Sequence, residues 1–141
     1  MSYDFIVYAR RERVPAPEQF SAGLEQAGAS MRLADPFPNL EQRGGVVRAS
    51  LAGRTVAVDV LYGTIGSNEA TDLEADILAN GEEMTPSNQE AVTILRTCDT
   101  RITLSGKAPD EIEVARGLAT ALAAASAGYL CDPQTDTTVR P

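Results

Sequence analysis

The sequence contains no histidine, and it has only two cysteines, Cys98 and Cys131. The absence of histidine excludes histidine-based acid–base catalysis, Ser-His and Cys-His nucleophile pairs, and most zinc sites. Two cysteines 33 positions apart are too few for a disulfide scaffold and too widely spaced for a metal motif, although a single bridge between them stays open. We therefore expect no metal, no cofactor, and two small buried or edge thiols.

The chain also lacks any apolar run near the roughly 20 residues that cross a bilayer. Its first residues, Met1-Ser2-Tyr3-Asp4, lack the basic-then-apolar order of a signal peptide. With 43% hydrophobic residues among 141, the chain is long enough to bury a core without disulfides or metals. These properties predict one soluble, cytoplasmic domain over residues 1–141 that does not bind a membrane.

Positive charge is scarce, because 20 acids outnumber 12 Lys and Arg and give a net charge of −8. This balance argues against nucleic acid as a partner, since phosphate binding depends on clustered Lys and Arg. The whole excess lies in residues 55–95, which contain eight acids and no Lys or Arg. That stretch predicts either a surface that keeps the protein in solution or a face that meets a cationic partner.

Motifs that bind phosphate are missing as well. Gly44-Gly45 and the glycines of residues 63–66 match neither a P-loop nor a complete dinucleotide fingerprint. The group Arg10, Arg11 and Arg13 has two interpretations. It is either an anion site at the end of the first strand, near a helix start, or a solvated turn that includes Glu12.

Paired carboxylates are the remaining source of catalytic or magnesium-binding groups. Asp72 and Asp76 are four residues apart on a predicted helix, which favours a solvated face because the two charges repel. Asp132 precedes a proline and is typical of a turn, although it forms a second candidate pair with Asp136. An enzyme would need Asp59, Asp132 and Asp136 to converge on one cleft, and we predict no catalytic residue.

Hydrophobic periodicity and capping signals predict the elements of the fold. Strands are expected at residues 3–9, 46–51, 55–62, 101–105 and 129–131, with a short edge strand at 31–33 and a polar tail after 136. Helices are expected at residues 17–27, from the capping box 71–74 to Gly81, from the capping box 87–90 to Cys98, and from Pro109 to Gly128.

The alternation within residues 55–62 indicates which face of that strand is buried. One face carries Val56, Val58, Val60 and Tyr62, which we expect to meet the helices. The order of the elements predicts an α+β fold with a mixed, mainly antiparallel sheet. In this fold, helices lie largely on one face, as in the ferredoxin-like element order.

The C-terminal stretch resembles small bacterial immunity-type proteins, which accompany the toxins of contact-dependent and type VI secretion systems. The resemblance rests on Glu113-Val114-Ala115-Arg116-Gly117-Leu118-Ala119 and on residues 127–135, Ala-Gly-Tyr-Leu-Cys-Asp-Pro-Gln-Thr, about a fifth of the chain. In several such families a helix ends in glycine, a short strand follows, and an Asp-Pro-Gln turn closes the domain. The resemblance implies a cytosolic antitoxin-like protein that blocks a toxin and performs no chemistry.

The leading hypothesis is therefore a non-enzymatic inhibitor whose acidic segment meets a basic surface on a toxin. The residues expected to bind the partner are Glu69, Asp72, Glu74, Asp76, Glu82 and Glu83. The alternative is a small-molecule-binding regulatory domain that uses the sheet face and the arginine turn, and it requires a concave apolar pocket.

Overall fold

The computed structural model describes residues 2–26, 31–135 and 137–140, and within them the chain forms one antiparallel sheet with four helices. The strands are β1 Tyr3–Ala9, β2 Met31–Leu33, β3 Gly44–Leu51, β4 Arg54–Thr64, β5 Thr100–Gly106, β6 Tyr129–Asp132 and β7 Thr137–Val139. The helices are α1 Pro17–Gln26, α2 Glu69–Ala79, α3 Pro86–Thr97 and α4 Pro109–Ser126. The α+β class is thus confirmed. The predicted end of the first helix, at residues 27 and 28, lies outside the described residues.

The strands lie in the order β2-β3-β4-β5-β1-β6-β7, so β1 is an interior strand with β5 and β6 beside it. The short strand β2 is at one edge, as its sequence predicts. At the opposite edge lies β7, which the sequence analysis predicted to be only a polar tail. Its three residues are all exposed, so they carry no hydrophobic alternation, and only pairing with β6 defines the strand.

The hairpin between β3 and β4 is tighter than its sequence predicts. Ala52 and Gly53 form the turn with φ values of 52° and 80°. Arg54, expected in the turn, is the first residue of β4 and pairs with Leu51. Two central residues with positive φ are typical of the hairpin turns whose twist matches that of the flanking strands.

The main core lies on the sheet face covered by α1 and α4. Val58 and Val60 are buried there, and Val56 and Tyr62 are partly buried against the same cluster, which confirms the predicted inward face of β4. From α4 the cluster receives Leu118 and Leu122, each almost fully buried. Every second side chain of β1 and β5 is buried, or nearly so, on this face, as expected for an antiparallel sheet with one buried face.

The other two helices, α2 and α3, lie together over the opposite face of the sheet, where α3 residues and β1 residues line a common cleft. The sequence predicts helices largely on one face, whereas the structure divides them two and two. The α2–α3 pair connects the neighbouring strands β4 and β5, and it lies over the second face because α1 and α4 already cover the first.

The starts of α2 and α3 that the two capping boxes predicted were both wrong, because each helix begins earlier in the sequence. Helix α2 begins at Glu69, two residues before Thr71, and the Glu69 carboxylate accepts a hydrogen bond from the Gly66 N–H at 2.6 Å. Helix α3 begins after Thr85, whose hydroxyl accepts from the Asn88 N–H at 3.1 Å, so Ser87 lies inside the first turn. Thr85 thus caps α3 ahead of the predicted Ser87, whereas Asn68, the N-cap residue of α2, makes no side-chain capping bond.

Two residues after the end of α4, Ala127 and Gly128, have different roles. Ala127 adopts the left-handed conformation there, with φ of 51°. Gly128 is needed for a different reason, because a Cβ at that position would lie 2.5 Å from the carbonyl oxygen of Tyr8. The close approach lets β6 begin directly beside β1. No helix among the described residues combines the length and the apolar character needed to cross a membrane.

Candidate functional site

Four of the six predicted partner-binding residues form an acidic surface on α2 and the loop that follows it. Asp72 and Asp76 are exposed on α2, one helical turn apart, and Glu82 and Glu83 are exposed between α2 and α3. These four residues, Asp72, Asp76, Glu82 and Glu83, are called the acidic surface below. Since each side chain is in water, each carboxylate is available to a partner without first losing a buried contact.

The other two predicted residues, Glu69 and Glu74, are half-buried and paired within the chain. Glu74 forms an ion pair with Arg96 of α3, at 2.8 Å between Oε2 and Nη2. Glu69 accepts from Arg101 of β5 at 3.0 Å. Hydrogen bonds from the Gly66 N–H and from Arg101 hold the pKa of Glu69 below its ordinary value. Both residues therefore fix the position of α2 more than they offer charge to a partner.

Glu90 on α3, a third acid of residues 55–95, is also paired with an arginine from another part of the chain. Arg140, just after β7, donates to Glu90 Oε2 through Nε at 2.7 Å and through Nη2. Three acids of residues 55–95 are thus paired with arginines that lie outside this stretch, at positions 96, 101 and 140. No pattern within residues 55–95 indicates these contacts, because all three arginines lie beyond that stretch.

A cleft of about 790 Å³ lies between the α2–α3 pair and the second face of the sheet. Its floor includes Ile6 and Tyr8 of β1, Arg101 of β5 and Cys131 of β6. Its opposite wall consists mainly of α3 residues, together with Leu73 of α2. Residues after β6, including Arg140, complete the rim. This volume falls within the range of roughly 300–1,000 Å³ that is usual for small-molecule sites.

The inner end of the cleft adjoins a small hydrophobic cluster. Ile65, Ile94 and Cys98 are buried in it, and Cys131 packs against it. The two cysteines therefore belong to one neighbourhood, and both are free thiols. Burial raises the pKa of Cys98 and of Cys131. Both thiols are thus protonated at neutral pH, which makes them poor nucleophiles.

The arginine turn contacts the C-terminal end of α3. Arg10 donates from Nε to the carbonyl oxygen of Thr97 at 3.1 Å, at the last residue of α3. The Arg11 N–H donates to Asp99 at 2.7 Å. A helix C-terminus carries a partial negative charge, so the Arg10 side chain complements the end of α3.

The candidate catalytic carboxylates do not converge. Asp59 is on β4 and Asp132 on β6, with β5 and β1 between them, which corresponds to about 14 Å at the usual strand spacing. Asp132 accepts from the Gln134 N–H, the turn geometry that its sequence predicts, and from the Tyr3 hydroxyl. Asp136 lies outside the described residues. Among the described residues, no group of three or more Cys, Asp or Glu side chains could hold a metal ion.

Sequence reasoning missed the cleft residues Tyr8, Arg101 and Arg140. Tyr8 and Arg101 pair directly across β1 and β5, so both point to the second sheet face. The signal that could have indicated them was the strand alternation, which places Ile6, Tyr8 and Arg101 on the sheet face opposite the core.

Comparisons of the chain with family models, with curated proteins and with solved structures each gave no match.

Proposed function

We propose that this chain is a non-enzymatic immunity protein, which binds and neutralises a cognate secreted bacterial toxin through its acidic surface. The observation that carries the proposal is the position of Asp72, Asp76, Glu82 and Glu83, all exposed on one helix and the loop after it. Carboxylates arranged in this way attract a basic surface, raise the rate of association and select against acidic partners. A toxin cleft that binds nucleic acid or nucleotides would present such a surface.

The ion pairs behind the acidic surface support this proposal. Glu74 is paired with Arg96, and Glu69 with Arg101, so the helix that carries Asp72 and Asp76 is tied to both α3 and β5. A binding surface on a positioned helix loses less conformational entropy when a partner docks than a surface on a loose segment. The internal pairs therefore present the exposed acids in a fixed arrangement.

The chemistry of the other polar groups also favours binding over catalysis. The chain has no histidine, its two thiols have raised pKa values, and its candidate acids Asp59 and Asp132 are on strands that do not touch. The resemblance of residues 113–119 and 127–135 to immunity-type proteins points to the same class. An inhibitor of this kind acts by covering the toxin and needs no reactive group of its own.

Co-expression in bacteria tests the proposal. The product of the gene adjacent to this one is expressed from an inducible promoter, with or without this protein, and survival is counted. We expect the adjacent product to be lethal alone and harmless when this protein is present. An adjacent product that is not toxic, or that kills equally in both strains, contradicts the proposal.

Charge reversal then tests the acidic surface itself. The variant with Asp72, Asp76, Glu82 and Glu83 replaced by Lys should lose protection. The matched control reverses four other exposed acids, Glu18, Glu41, Asp59 and Glu113, and changes the net charge equally. Protection retained by the control and lost by the first variant supports the acidic surface, while equal behaviour of the two rejects it.

A further inference from the structure

We propose that the cleft between the α2–α3 pair and the sheet is a binding site for a small amphipathic anion, an apolar ring or chain that carries one carboxylate. The site does not involve the acidic surface, and it does not depend on toxin binding. The cleft, at about 790 Å³, is large enough for such a molecule and too large to be an ordinary packing defect.

The walls of the cleft suit an apolar body. Ile6 on the floor and Leu73, Ile94 and Leu95 on the opposite wall all line it. The buried cluster of Ile65, Ile94 and Cys98 adjoins its inner end, and Leu95 and Cys131 pack against that cluster. A ring or chain that enters from the rim would therefore replace water against apolar surface on two sides, which is favourable in proportion to the area covered.

Arg101 on the floor provides the charge that selects an anion. The Arg101 side chain is 33% exposed, and it donates from Nη2 to Glu69. A guanidinium group has five N–H donors, so this bond leaves most of them for a ligand. Its Cζ also lies 5.6 Å from the centroid of the Tyr8 ring, which holds the group in place. A carboxylate is a ligand group that a positioned guanidinium binds in bidentate fashion.

The acids near the cleft do not favour a cation to the same degree. Glu90 is 21% exposed and accepts from both Nε and Nη2 of Arg140. Asp132 accepts from the Tyr3 hydroxyl and from the Gln134 N–H. Each of these two carboxylates is held by two hydrogen bonds, and the charge of Glu90 is offset by Arg140, whereas Arg101 has N–H donors left after its bond to Glu69. The free donors of Arg101 therefore favour a ligand with a negative group near β5.

NMR titration of the folded protein tests this inference. Phenylbutyrate and decanoate are added as anionic probes with a ring or a chain, and phenylbutylamine and phenylbutanol as the matched cationic and neutral probes. We expect saturable amide shifts at Tyr8, Ala91 and Leu95 with an anionic probe, and binding weaker by about tenfold or more with the amine and the alcohol. No saturable shift with either anion, or equal binding of all probes, overturns the proposal.

Variants locate the site. Arg101→Gln should weaken binding of the anionic probe by about tenfold, and Arg54→Gln, which changes an exposed arginine of the β3–β4 hairpin, should not alter it. Ala91→Trp places a large side chain on the cleft wall and should abolish binding. If Arg101→Gln unfolds the protein, Ala91→Trp decides, and unchanged binding in that variant overturns the proposal.

Discussion

Arg101 of β5 donates from Nη2 to Oε1 of Glu69, the first residue of α2, at a distance of 3.0 Å. The contact joins two elements 32 residues apart in sequence and connects the sheet to the helix that carries Asp72 and Asp76. Glu69 also accepts from the Gly66 N–H, in the loop just before the same helix. One carboxylate therefore joins the start of α2 both to the preceding loop and to the sheet.

Glu69→Gln should destabilise the fold modestly. The substitution keeps the shape of the side chain but removes the charge from the Arg101 pair and from the N-terminal bond of α2. Because the Glu69 side chain is 37% exposed, we expect a loss of about 0.5–1 kcal/mol in the free energy of unfolding. Urea denaturation checks this, with Asp72→Asn as the matched control, for which we expect a change within about 0.5 kcal/mol. An equal effect of both substitutions would contradict the anchoring role of Glu69.

Stability should fall in acid. The pKa values of Asp35, Glu69 and Glu111 lie below their ordinary values, mainly because of hydrogen bonds from Arg48, from the Gly66 N–H and from the Ala108 N–H respectively. A carboxyl group whose pKa is lower in the folded state binds protons more readily when unfolded, so its contribution is present near neutral pH and lost as the pH falls through about 4 and below.

The variant Glu111→Gln isolates one of these groups. Its free energy of unfolding, measured by urea denaturation between about pH 7 and pH 3, should depend less steeply on pH than that of the unaltered protein. The carboxylate accepts from the Lys107 N–H at 2.9 Å and the Ala108 N–H at 3.1 Å, and the amide loses the charge on those bonds. Identical slopes for the two proteins would contradict the lowered pKa of Glu111.

Alkaline pH should reveal the partly buried hydroxyl of Tyr62. This group donates to the carbonyl oxygen of Pro38 at 2.7 Å, and burial raises its pKa from 10.0 to about 12. The unfolded chain loses the proton first, so stability should fall as the pH rises from about 10 to about 12. Tyr62→Phe should cost about 1 kcal/mol near neutral pH and remove that part of the alkaline loss. Phenolate absorbance that titrates fully near pH 10 in the folded protein would contradict the raised pKa of Tyr62.

Two glycines should respond to alanine in opposite directions. A Cβ on Gly106 would lie 2.7 Å from the Glu111 carbonyl carbon and 2.8 Å from the Ile112 nitrogen, where only a shift of the α4 backbone makes room. Gly106→Ala should therefore cost about 1–3 kcal/mol. Gly23→Ala, at an exposed position of α1 with nothing within 4 Å, should stabilise by about 0.5–1 kcal/mol. Thermal unfolding measures both, and changes of the same sign would contradict this packing.

The regular elements were predictable because their patterns are local. Strand β1 matches its expected bounds, since alternation and β-branched residues define it without reference to the rest of the chain. Helix starts were harder, because α3 offers several neighbouring residues that could cap it, of which Thr85 does, and α2 begins without a side-chain capping bond. Strand β7 could not be predicted, because only its pairing with β6 distinguishes it from a tail.

The sites were predictable in composition but not in arrangement. Exposure of Asp72 and Asp76 follows from their helical spacing, and the structure agrees. The partners of Glu69 and Glu74 are on β5 and α3, and no local pattern indicates which arginine meets which acid. The cleft depends on how far α3 lies from the sheet, a property of packing that a single sequence does not encode in any local signal.

The most direct test of the acidic surface is the association rate constant with the proposed toxin, the product of the adjacent gene, measured by stopped-flow fluorescence at roughly 50 and 500 mM NaCl. For the unaltered protein we expect the rate constant to fall by about tenfold or more at high salt. The variant with Asp72→Asn, Asp76→Asn, Glu82→Gln and Glu83→Gln should associate slowly at both salt concentrations. If that variant associates as fast as the unaltered protein at low salt, the acidic surface does not bind the toxin.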